Sequence, residues 1–230
     1  MEDDKLFSLL QLNDALFPIG AFAHSYGLET YVLTGEVHDS ATAQIWLQAY
    51  FRHSFAYGEL LAARLAYLAM QQGDIAELCR LDEFLFASSS PTEKRTAFVK
   101  LGRRLAKTAM RIGLPVGADF MTYVQKQEAQ KRLTHPVTYG ALVASLHLPL
   151  EKALAHYTYA QMSALVNVAV KLVPLSQTAG QKILSTMQEL WQEILQKAQA
   201  TDETMLAPAA PGLDVHQMQH EVLYSRLYMS

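Results

Sequence analysis

Residues 12–31 read LNDALFPIGAFAHSYGLETY, a stretch too apolar for a free loop and too interrupted for a single helix. Pro18 and Gly20 stop the helix that precedes it, since proline restricts its neighbour and glycine permits positive φ. Phe17, Ile19 and Phe22 then follow with no regular periodicity. Ser25 is placed to cap a second helix by accepting a backbone N–H, and Glu29 falls in that helix's first turn, where the dipole favours negative charge. A segment like this must bury its aromatic side chains or offer them to another molecule. It is therefore a buried joint or a docking surface.

Around this joint the chain is punctuated as helices, with no alternating pattern closed by hairpin turns. Residues 4–16 precede the joint, and a helix over 26–34 follows, closed by Gly35. Asp39 or Ser40 opens the next. Apolar positions from Ala43 to Met70 predict two helices or one long bent one, with Gly58 near the break. Asp74 opens a helix through Phe86. Ser90-Pro91-Thr92-Glu93 has the form of a capping box with proline at the first helical position. The amphipathic helix after it sets Phe98, Leu101, Leu105, Ala109 and Ile112 against Lys94, Arg95, Lys100, Arg103, Arg104, Lys107 and Arg111. Further helices are predicted over 119–130, 135–147, 149–172 and 174–200. Residues 201–213, with Pro208, Pro211 and Gly212, read as an exposed linker. Asp214 then caps a short helix.

Composition excludes several classes. The chain has 230 residues, half of them hydrophobic, enough for one sizeable core. A net charge of -3 and a pI near 6.2 give no global signal for nucleic acid or an anionic membrane. The single cysteine, Cys79, rules out an internal disulfide and a cysteine-built zinc site. The start, Met1 to Lys5, lacks the basic region of a secretory signal, and the most apolar run, Ser163 to Leu175, is too short to span a bilayer. The expected compartment is the cytoplasm. No nucleotide-binding motif is present: Gly180-Gln181-Lys182 lacks its upstream glycine.

Four constellations can carry chemistry. His216 and His220 share one face of a short helix, but two ligands leave a tetrahedral metal site half empty, so no metal site is assigned. His24, Ser25 and Asp14 invite comparison with a hydrolytic triad. Adjacent residues do not readily place the hydroxyl on the imidazole, and no nucleophile elbow exists, so no catalytic residue is assigned. The basic face of Lys100, Arg103, Arg104, Lys107 and Arg111 is either solvated or a docking face for an acidic protein surface. Tyr157, Tyr159 and Met162, at helical spacing, are either core or a self-complementary dimer face. The end of the chain adds a fifth oddity: Leu223, Tyr224, Leu227, Tyr228 and Met229 cluster beside Arg226, where termini are normally polar. This tail either folds back or is held by a partner, and Arg226 is a candidate donor to carbonyls exposed around Gly20.

Three stretches together resemble the UreF family of urease accessory proteins, in order along nearly the whole chain. The first is Leu9-Leu10-Gln11-Leu12-Asn13-Asp14 with Pro18-Ile19-Gly20-Ala21-Phe22-Ala23-His24-Ser25-Tyr26-Gly27-Leu28-Glu29; it departs from the family's form at Ala21, where Gly or Ser is usual. The second is Thr134-His135-Pro136-Val137-Thr138-Tyr139-Gly140 with Lys171-Leu172-Val173-Pro174-Leu175-Ser176-Gln177 and Gly180-Gln181. The third is Met218-Gln219-His220-Glu221 with Arg226-Leu227-Tyr228-Met229-Ser230. The resemblance implies an all-α, single-domain orthogonal helical bundle over residues 1–230, with a short C-terminal helix and tail (214–230). It implies a dimer without catalytic activity or cofactor, acting with UreD (also called UreH) and the GTPase UreG in nickel delivery to apo-urease. It places partner binding on Phe22, His24, Ser25, Glu29, His220, Glu221, Tyr224, Arg226, Leu227 and Tyr228. The competing readings are a nickel carrier using His216 and His220, and a generic helical adaptor.

Overall fold

The computed structural model describes residues 2–230, with side chains for 5–21 and 23–230; the expectation for the Phe22 side chain lies outside the described residues. The fold is all-α. Helix α1 (Glu2–Leu12) leads into the joint, which contains one 3-10 turn (Ala21–Ala23) before α2 (Leu28–Leu33). Next come α3 (Ser40–Tyr50), a π-helical stretch (Phe51–Leu60) and α4 (Leu61–Gln71), without interruption. The region expected as two helices or one long bent one, with Gly58 near the break, is therefore one continuous helical run. Its wider π-helical turns bring Phe51, Phe55 and Glu59 all to the inside.

Helices α5 (Ile75–Ser88), α6 (Thr92–Arg111), α7 (Ala118–Gln130) and α8 (His135–Ser145) build the first half of the core, and α9 (Leu150–Leu172), α10 (Gln177–Thr186) and α11 (Gln188–Ala200) the second. Helix α8 is buried at every position from His135 to Ala144, as an all-round apolar helix must be. It packs between α4 and α6. Close approach sets two glycines: a methyl at Gly140 would collide with the Ala63 carbonyl, and one at Gly102 would sit 2.5 Å from the Leu133 carbonyl oxygen.

A buried carboxylate ties three of these helices together. Asp82 on α5 accepts from Tyr123 OH (2.6 Å), Gln127 Nε2 (3.1 Å), and Thr134 N and Oγ1 (2.8 and 2.5 Å). Burial pushes its pKa up to about 7 against the pull of those four donors.

Segment 201–213 departs from the linker expected there. Asp202 to Met205 are exposed, but Leu206 is buried and Ala207 N donates to the Tyr57 carbonyl of the π-helical stretch. The last helix, α12 (Pro211–His220), opens at Pro211 rather than at Asp214, because proline at the first helical position needs no amide partner. The long helix expected over 174–200 is two, α10 and α11, meeting at the fully buried Met187.

Candidate functional site

The tail folds back, and the joint receives it. Gly20 and Gly27 both take left-handed backbone angles, which lets the chain reverse twice within eight residues. Ser25 does not cap α2, whose N-cap is Gly27. Instead its amide (2.5 Å) and its Oγ (2.8 Å) both donate to the Ser230 carbonyl, while Met229 N donates to the Ala23 carbonyl (2.8 Å). His24 Nδ1 lies 2.7 Å from Ser230 Oγ. Burial, then the nearby cations Lys100 and Arg104, push the His24 pKa down to about 4, so its ring is neutral at pH 7.

Glu29, 3% exposed, is the centre of the clasp. Its Oε1 accepts from Leu227 N (2.7 Å), and its Oε2 from Tyr228 N (3.1 Å). His220 Nε2 lies 2.9 Å from the same Oε2, and His220 Nδ1 lies 2.6 Å from Glu93 Oε2. Only a ring carrying both protons donates to both carboxylates. Gln217, one turn earlier on α12, donates to the Tyr26 carbonyl (2.9 Å).

Two local expectations are overturned by this arrangement. Ser90 and Glu93 do not form the capping box, since the N-cap of α6 is Pro91 with no side-chain cap. Glu221 caps α6 from the other end of the chain, accepting from Thr92 N (2.7 Å) and Glu93 N (3.3 Å), and Glu93 is thereby free to take His220 and Arg226. Arg226 does not serve the carbonyls around Gly20; it pairs with Glu93. The arginine that does serve them is Arg104, which donates to the Ile19 carbonyl at 3.2 Å. The chemistry expected of Arg226 falls to a side chain already pointing at the joint from a rigid helix.

Of the ten residues assigned to partner binding, the nine other than Phe22 divide by exposure. His24, Ser25, Glu29 and His220 are buried and hold the tail. Tyr228 is inward as well, at 9% exposure. Glu221 and Arg226 are committed to α6 and Glu93. Tyr224 and Leu227 point outward, joined by Met229 of the same apolar cluster and by Val222, which the sequence did not single out. The signal for that division is the ladder of backbone bonds at 227–230, invisible to composition.

The other assigned faces change too. Tyr157 and Met162 are each 1% exposed and cannot form a dimer face: Tyr157 stacks on Tyr139 at 4.4 Å, with its hydroxyl near Glu59 (3.5 Å) and His135 (3.4 Å). Tyr159, turned the other way on α9, is exposed. On the basic face Arg103 and Lys107 share Glu128 and Arg104 holds the joint; Lys100, Arg104, Lys107 and Arg111 are all exposed. A cleft of about 600 Å³ lies between the joint and α9, lined by Phe17, Ile19, His135, Tyr157 and Tyr228 among others. His216 is bound to the Gly212 carbonyl and to Glu36, and both nitrogens of His220 are engaged. Among the described residues no group of three or more His, Cys, Asp or Glu is arranged to hold a metal ion, and no helix is long and apolar enough to cross a membrane.

Fold and site together define an all-α protein that clasps its own C-terminal segment by buried polar groups and turns that segment's apolar side outward. The family model for UreF matches residues 37–188. The urease accessory protein UreF of Bacillus sp. (strain TB-90) is 36% identical over 228 residues, 99% of this chain and 100% of that protein. The chain belongs to the UreF family of urease accessory proteins.

Proposed function

We propose that the protein is a non-catalytic scaffold of urease maturation in the cytoplasm, working as a homodimer. It joins the UreD (UreH) accessory protein and the UreG GTPase, and with them serves GTP-dependent insertion of nickel into apo-urease. The observation that carries this reading is the outward apolar side of the tail: Tyr224, Leu227 and Met229 are exposed on a segment whose backbone is fixed from beneath. An aromatic and aliphatic strip held in place has little ordering entropy left to lose, which favours its use as an anchor for a partner. Segment 214–230, with the joint beneath it, is on this reading one platform. His24, Ser25, Glu29, His220 and Glu221 shape it, and Tyr224 and Leu227 make the contact. Lys100 and Arg111, nearby in charge if not in mechanism, meet an acidic partner surface.

The test is co-purification of tagged UreD with a Tyr224→Ser/Leu227→Ser double variant. Recovery is expected to fall to background while the thermal midpoint stays at the wild-type value, because both side chains are exposed in the free protein. Undiminished recovery would remove the tail from the interface.

A further inference from the structure

A second surface feature lies apart from the outward strip of the tail, though His216 of segment 214–230 supports one of its walls. Between the α2–α3 turn and the start of the π-helical stretch lies an open pocket of about 420 Å³, walled by Tyr31, Trp46 and Tyr50 and rimmed by Ile45, His53 and Glu36. The rings are fixed relative to one another. Trp46 stacks on Tyr50 with centroids 5.4 Å apart and planes 6° apart, and Tyr31 stands at 61° to Trp46, 5.8 Å away. Tyr31 is pinned from behind by the His216 ring, stacked at 3.7 Å. That imidazole is itself held through Nδ1 to the Gly212 carbonyl (2.8 Å) and through Nε2 to Glu36 Oε1 (2.9 Å).

Glu36 is the one carboxylate that lines the pocket, and one of its oxygens is paired with His216. No lysine or arginine lines it, in contrast to the basic face of α6. Thr34 Oγ1 also donates to Glu36 Oε1 (3.0 Å), so both bonds fall on one oxygen and Oε2 has no partner among the described residues. Those two bonds hold the Glu36 carboxyl below its ordinary value, in the charged form. Aromatic faces with a free carboxylate oxygen at the rim attract cations, and a planar guanidinium does better than an ammonium because it stacks and hydrogen-bonds at once.

We propose that this pocket is a docking site for an arginine side chain presented by an exposed segment of a partner protein, with the guanidinium against Trp46 and Tyr31 and its N–H groups on Glu36 Oε2. The assignment does not depend on the tail reading: the pocket shares no residue with the outward strip of Tyr224, Leu227 and Met229.

The two tryptophans of the chain, Trp46 and Trp191, give two indole N–H signals in the nuclear magnetic resonance spectrum of the full-length protein. A Trp46→Phe variant assigns them. Titration with an acetylated and amidated glycine–arginine–glycine peptide at fixed ionic strength is expected to shift the Trp46 signal saturably and leave Trp191 in place. The citrulline analogue, equal in shape but uncharged, is expected to leave both signals in place. Glu36→Gln, at an exposed position that does not threaten folding, is expected to weaken the arginine peptide about fivefold. An unmoved Trp46 signal, or equal shifts by the arginine and citrulline peptides, overturns the proposal. So does unchanged affinity in Glu36→Gln. Choline chloride saturating at lower concentration than the peptide would transfer the pocket to small organic cations and overturn the arginine assignment.

Discussion

Glu29 offers two carboxylate oxygens and the tail uses both, which makes this residue the place where the clasp is most easily opened. Glu29→Gln keeps the shape but replaces one acceptor by a donor, facing either the Leu227 amide or the His220 ring and Tyr228 amide with the wrong partner. A buried donor left without an acceptor costs about 1–3 kcal/mol. In hydrogen exchange, the amides of Leu227 and Tyr228 are expected to lose roughly tenfold to a hundredfold in protection while those of α8 stay as slow as in the wild type. His24 and the buried His135, whose pKa burial likewise pushes down to about 4, shape the pH response, and His24 is the one that touches the tail. Its folded pKa, near 4, lies below the ordinary 6.5, so the unfolded chain binds the extra proton first as pH falls. The contribution to stability is whole above pH 6.5, declines as pH drops from there to 4, and amounts to about 3 kcal/mol. Asp82 acts with opposite sign, since its raised pKa near 7 favours the folded state in acid and loses that advantage as pH rises from about 4 to 7. The comparison that isolates His24 is therefore between slopes: chemical unfolding of His24→Gln should lack the decline between pH 6.5 and 4 that the wild type shows relative to it. Parallel slopes would mean that the fold does not lower the pKa of this ring.

Elements whose ends are fixed by neighbouring residues are the ones that can be read from the sequence. Asp39 caps α3 in a reciprocal box with Thr42, Asp74 caps α5 through Glu77 N, and the prolines at 136 and 149 stand where α8 and α9 begin. What escapes is anything closed from far along the chain. Glu221 caps α6 from 129 residues away, and no local pattern distinguishes that from the capping box that Ser90 and Glu93 seemed to offer. The π-helical stretch is hidden for a related reason, because its wider turns are maintained by what Phe51, Phe55 and Glu59 pack against rather than by their own propensity. Within the site, the joint and tail were both recognisable as segments in need of burial. Which carboxylate, amide or guanidinium would meet which was not. The two accounts of α6 make opposite demands on two residues. Glu221→Ala is expected to cost about 1 kcal/mol, the value of an N-cap, and to lower the thermal midpoint by about 2–4 °C. Ser90→Ala is expected to change stability by no more than about 0.5 kcal/mol, as for an exposed side chain without a partner. Differential scanning calorimetry of the two variants separates them, and the reverse order would restore the local cap.

At the scale of the molecule, the joint and the tail pack together beside a core built on α8, and a homodimer needs a further face besides the outward strip of the tail. Helix α9 divides in this respect. Tyr157 and Met162 belong to the core, so any change there is felt by the monomer. Successive residues of a helix turn by about 100°, so Tyr159 emerges on the far side from Tyr157 and is 55% exposed. If the homodimer proposed above uses this face, the two tyrosines must respond differently. Tyr159→Arg puts a like charge opposite itself across a two-fold axis, a repulsive element that a self-complementary interface does not tolerate. Light scattering behind size exclusion is expected to show the monomer mass for this variant, with helix content unchanged. Tyr157→Phe removes only the hydroxyl near Glu59 and His135 and leaves the stacked ring against Tyr139, so it should keep the wild-type mass while losing about 1 kcal/mol of stability. A Tyr159→Arg protein that still elutes as a dimer would move the interface off the outward face of α9, and the exposed apolar side of α1, with Phe7 and Leu10, is then the next surface to test.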